Sequence, residues 1–148
     1  MISPARRFVS CAARRAVIIA AVLASCVTLP AMAQSCTPDL AGGRRVESAA
    51  HTLVWRTLPE PIAVGQHFSV ELIVCPRTEG AATQVVRVDA TMPEHRHGMN
   101  YRATIQPLGS GRHRADGLMF HMPGRWEMVF EVRGPRGVDL LRQRIDLD

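Results

Sequence analysis

Leu118-Met119-Phe120-His121-Met122-Pro123-Gly124-Arg125-Trp126-Glu127-Met128-Val129-Phe130-Glu131-Val132 is the stretch that decides the fold class. Leu118, Phe120 and Met122 recur at every second position up to a Pro-Gly turn signal. Beyond it Trp126, Met128, Phe130 and Val132 alternate with residues that include Glu127 and Glu131. A period of two puts alternate side chains on one face of a strand, so the stretch reads as two half-buried strands meeting at a turn.

The same period extends outward. Phe68, Val70, Leu72 and Val74 share a face opposite Ser69 and Glu71. Val86, Val88, Ala90 and Met92 alternate with Arg87, Asp89 and Thr91, and Tyr101, Ala103 and Ile105 alternate with Arg102, Thr104 and Gln106. Leu53 to Leu58 offers an earlier short strand, and Leu141, Ile145 and Leu147 close the chain. Turn signals stand between the runs, at Pro59-Glu60-Pro61, Pro76 to Gly80, Pro93 to Gly98, Gly109-Ser110-Gly111, Pro123-Gly124 and Gly134-Pro135. About seven short strands with no helical period predict an all-β, antiparallel β-sandwich, with a small closed barrel as the alternative.

The 148 residues suit one domain, and 47% hydrophobic with 21% charged is an ordinary globular balance. All 18 basic residues are Arg, and four of them (Arg6, Arg7, Arg14, Arg15) precede the first apolar run, Ala16 to Leu29. That run leads to Ala31-Met32-Ala33, so residues 1–33 read as an export signal with cleavage after Ala33. The run is too short for a comfortable transmembrane span, and none is expected in the mature chain. Leu23-Ala24-Ser25-Cys26 resembles a lipobox, which gives a lipid anchor at Cys26 as the second reading. After cleavage 14 Arg face 13 acidic residues, so the basic character belongs to the leader and no nucleic-acid partner is expected. The expected location is the periplasm or the medium.

Residues 34–50 show no clear period and read as an N-terminal extension, with the sandwich domain at 51–148. Processing leaves two cysteines, Cys36 and Cys75. In an exported chain a disulfide between them is the first expectation, and a pair of metal-binding thiols the alternative.

Two polar segments carry the chemistry, residues 92–101 and 118–126. They hold three of the six His (His95, His97, His121) and four of the five Met that follow Ala33 (Met92, Met99, Met119, Met122). Imidazole and thioether donors together suit copper, thioethers favouring Cu(I), whereas Zn²⁺, Mg²⁺ and Ca²⁺ prefer other donor sets. The candidate ligands are His95, His97, Met99, His121 and Met122. If residues 95–99 are extended, His95, His97 and Met99 project from one side. Met92 continues a core face, Met122 fits core as well as ligation, and Met is a common core filler. His51, His67 and His113 read as structural or surface residues, and Trp126 as a core anchor.

Met-Pro-x-His-x-His-Gly-Met at 92–99, followed by Phe-x-Met-Pro-Gly-x-Trp at 120–126, resembles the YtkA-like/FixH-like group of small exported or membrane-anchored bacterial proteins. The resemblance covers roughly residues 62–135 and implies an immunoglobulin-like β-sandwich. It also implies a link to copper-dependent assembly of respiratory oxidases, as for FixH-like members. Catalysis is not expected, since no Gly-x-Ser-x-Gly elbow or phosphate-cradling Gly loop is present and Glu94 beside the two His is a common loop pairing. The expected function is that of a periplasmic copper carrier or assembly factor serving an envelope protein or a recipient metalloenzyme. The alternative is a metal-free adaptor whose end loops bind an envelope partner.

Overall fold

A computed structural model describes residues 36–148. The export signal expected at 1–33 and the lipobox reading at Cys26 both lie outside the described residues. No helix among the described residues is long and apolar enough to cross a membrane.

Nine strands form among these residues: β1 (Arg44–Glu47), β2 (His51–Leu58), β3 (His67–Pro76), β4 (Gln84–Met92), β5 (His97–Gly98), β6 (Thr104–Gly109), β7 (Arg112–Met119), β8 (Gly124–Gly134) and β9 (Gly137–Leu147). They make two antiparallel sheets, ordered β1-β2-β3-β7-β6 and β5-β4-β8-β9. With β2, β3, β7 and β6 as strands A, B, E and D, and β4, β8 and β9 as C, F and G, this is the immunoglobulin arrangement. β5 lies beside β4 where a C′ strand lies. Two separate sheets replace the barrel alternative.

The alternation in the sequence becomes the core. Trp126, Met128, Phe130 and Val132 on β8 meet Phe68, Val70, Leu72 and Val74 on β3 in one buried cluster. Trp55 packs against Phe130 with ring centroids 5.3 Å apart. The expected face of β4 shifts by one residue at its start. Val85, not Val86, is in the core, because a bulge between Val85 and Arg87 re-phases the strand before Val88, Ala90 and Met92. Tyr101 falls outside β6 and is exposed, packing edge-on against His67.

The two strands beyond the expected seven are the shortest. β1 arises within the extension, where only four residues pair with β2, too few to show a period. The rest of the extension covers part of the outer face of the first sheet. Leu40 and Cys36 pack on Val54, Ile73 and Cys75, and the Cys36–Cys75 disulfide closes this second apolar cluster. Gly111 permits the approach. It has φ +77°, and a Cβ there would lie 2.6 Å from the Val74 carbonyl and 2.9 Å from Cys36 Sγ.

The connections sort to two poles. The β4–β5 turn and the β7–β8 connection share one pole. The β1–β2 and β8–β9 turns share the other.

Candidate functional site

β4 and β5 form a hairpin with Met92 opposite His97 and Thr91 opposite Gly98. Its four-residue turn, Pro93 to Arg96, is closed by the His95 N–H donating to the Met92 carbonyl (3.1 Å) and the Arg96 N–H to the Pro93 carbonyl (3.3 Å). Arg96 occupies the left-handed region at φ 55°, a conformation that costs a side-chain-bearing residue about 1 kcal/mol. The condition for His95, His97 and Met99 to project together, an extended backbone over 95–99, is met only in part, because His95 and Arg96 lie in the turn and only His97 and Gly98 are strand.

The register sets the direction of His97. Directly opposed residues of an antiparallel pair share a face. Met92 and Ala90 point into the core, so His97 faces inward at the core's edge. The Met99 N–H donates to the Ala90 carbonyl at 3.0 Å, which carries the same direction on to Met99.

The second segment leaves the opposite sheet. β7 ends at Met119, and Phe120 inserts fully into the core, stacked on Phe68 at 5.0 Å and against Trp126 at 4.9 Å. That anchor fixes His121 at the surface directly beyond it. The Gly65 N–H also donates to the Phe120 carbonyl at 2.7 Å, tying the β2–β3 loop to the same point. The Trp126 indole N–H donates to the Met122 carbonyl at 3.1 Å, which holds the turn over its own strand.

The two segments meet. The His97 and His121 ring centroids are 5.1 Å apart, and those of His95 and His97 are 5.8 Å apart. Trp126, wholly buried, lies against both His97 (5.6 Å, 67°) and His121 (5.3 Å, 85°). A ring nitrogen bound to a transition metal at about 2 Å places the imidazole centroid roughly 3.2 Å from the ion. Two rings on one ion then have centroids about 4.5 to 6.5 Å apart as the bond angle opens from about 90° to 180°. Both spacings fall in that range.

Met99 and Met122 are half-buried and pack on the margin of the main core. Met92 is core, its Cε set against Gly124, where a Cβ would come within 2.8 Å. Among the described residues no group of three or more His, Cys, Asp or Glu side chains is arranged to hold a metal ion. Glu94 makes an ion pair with Arg125 (2.9 Å), and Arg125 also reaches Asp146 (3.3 Å). This clamp holds the Pro93–Arg96 turn to β8. Nothing in the spacing of Glu94 and Arg125 along the sequence signals it.

The remaining His divide differently. His113 is buried with Nδ1 3.1 Å from the Gly111 carbonyl, and burial lowers its pKa against the opposing pull of that hydrogen bond. His51 is buried at the other pole, with Nδ1 2.9 Å from Asp139 Oδ2.

Fold and rim together define an immunoglobulin-type sandwich with an imidazole cluster seated on an indole at one pole. Comparison of the chain with family models, curated proteins and solved structures found no match.

Proposed function

We propose that the protein binds copper at this rim and acts as a periplasmic carrier or assembly factor. His97 and His121 are the central ligands, Met99 and Met122 supply thioether sulfur, and His95 stands at the outer edge. The observation that carries the reading is the 5.1 Å approach of two imidazoles delivered by separate turns from opposite sheets. The donor types favour copper over harder cations, and thioethers favour Cu(I). A rim site at the surface suits exchange of an ion with a recipient better than permanent retention. The resemblance to YtkA-like/FixH-like proteins points to the same chemistry.

The test is titration of the purified protein with Cu(I) and with Cu(II) against a competing chelator, read by tryptophan fluorescence in a Trp55→Phe background that leaves Trp126 as the reporter. One ion per chain is expected. His97→Ala or Met99→Ala should weaken binding at least about tenfold, the smallest loss typical when even outer-shell partners of a metal site are removed. Failure to retain copper against the chelator, or unchanged affinity in both variants, rejects the copper reading and leaves the adaptor.

A further inference from the structure

The pole opposite the imidazole cluster holds a cavity of about 440 Å³ whose polar centre is His51. The β1–β2 turn builds it. Ser48 Oγ accepts the N–H groups of Ala50 (3.1 Å) and His51 (3.0 Å), so its own proton is free to go to Asp139 Oδ2, with which it makes a short hydrogen bond. The same carboxylate oxygen stands 2.9 Å from His51 Nδ1. Burial alone would raise the Asp139 pKa, but the Ser48 hydroxyl and the His51 ring outweigh it and hold the carboxyl below its ordinary range. An ionised carboxylate only accepts, so Nδ1 carries the proton that faces Asp139, and in the Nδ1–H tautomer the lone pair lies on Nε2.

Nε2 faces backbone that has been left open. Gly134 lines the same cavity, and a Cβ on it would stand 3.3 Å from Nε2 and 3.2 Å from Cε1. Glycine thus keeps clear the space beside the ring nitrogen that does not face Asp139. Pro76, Ala81, Pro135 and Val138 give the cavity apolar walls. Arg136, at the tip of the two-residue β8–β9 turn, also lines it. It is exposed, and its guanidinium has no ion pair or hydrogen bond among the described residues. A concave, mainly apolar site with a few converging polar groups is the usual form of a small-molecule site.

We infer that this cavity is a second ligand site, for a small aliphatic carboxylate that bears a hydroxyl or ammonium donor. The carboxylate pairs with Arg136, the donor bonds to His51 Nε2, and the aliphatic part lies on the proline and valine walls. The site is independent of copper and lies at the other pole.

The test is NMR titration of the purified protein with four matched probes, followed through the His51 ring nitrogens and the Gly137 and Val138 amides. Leucine carries an ammonium beside its carboxylate and 2-hydroxy-4-methylpentanoate carries a hydroxyl. 4-Methylpentanoate lacks the donor, and leucinamide lacks the carboxylate. One or both donor-bearing acids should give saturable shifts at least about tenfold tighter than the two deficient probes, the step that corresponds to about 1.4 kcal/mol. Which of the two binds better identifies the donor as ammonium or hydroxyl. Arg136→Gln sits at a hairpin tip and should fold normally while losing the preference for leucine over leucinamide. Gly134→Ala should weaken every probe by crowding Nε2. No saturable shift from either donor-bearing acid, equal affinity for all four probes, or an Arg136→Gln protein that keeps its preference, overturns the proposal.

Discussion

Single residues in this sandwich show how closely burial and hydrogen bonding have been matched. Thr57 is the exception: its Oγ1 is the one buried side-chain polar atom without a partner among the described residues. An unpaired buried hydroxyl costs about 1–3 kcal/mol, and valine has nearly the same shape. Thr57→Val is therefore expected to raise stability by roughly 1 kcal/mol in urea unfolding. His113 makes the second residue-scale prediction. Burial lowers its folded-state pKa below the ordinary 6.5. The unfolded chain then binds the proton more readily, so the stability this residue contributes is fully present above 6.5 and is lost as pH falls through the folded pKa. Asp116 and Asp139, both held below the ordinary 3.8, lose their contributions only at still lower pH. Urea midpoints should fall between pH 7.5 and pH 5.5, and His113→Gln should flatten that portion of the profile.

At the scale of elements, β4, β7, β8 and β9 were legible because each alternates buried with more exposed residues, whereas β2 has no exposed residue and β6 no buried one. The runs at Phe68–Val74 and Trp126–Val132 gave their core residues directly, since nothing interrupts the period there. Val86 misled because a bulge moves two residues against one and leaves no mark in polarity. The imidazole rim was legible as composition and illegible as geometry. His95, His97 and His121 stood out by residue type, but their meeting depends on the register of Met92 with His97 and on the Phe120 anchor, both tertiary facts. The Arg125–Glu94 clamp is of the same kind, and it carries a prediction. Both side chains are about half exposed, so Glu94→Gln should change stability by less than about 1 kcal/mol. It should loosen the Pro93–Arg96 turn, broaden the amide signals of His95 and Arg96, and weaken the copper binding proposed for this rim by more than its effect on stability.

Across the whole molecule, burial is shared between two apolar clusters. The sheets bury one core between them, and the extension makes a second, smaller one outside the first sheet. The disulfide that fastens it spans a sequence separation of 39, for which loop-closure entropy predicts a stabilisation of about 4 kcal/mol. Cys36→Ser is expected to cost about 2–4 kcal/mol in urea unfolding, while the main sandwich still folds around Trp126 and Phe130. A variant as stable as the parent would show that Leu40 and its neighbours hold the extension unaided. One consequence concerns the order of manufacture. Ile73 and Val54 lie on the outside of the first sheet, beneath a flap whose only covalent rivet is made by oxidation. A chain that folds where thiols stay reduced would finish its interior yet carry a sticky flank, and an oxidising compartment is what turns that half-dressed sandwich into a closed one.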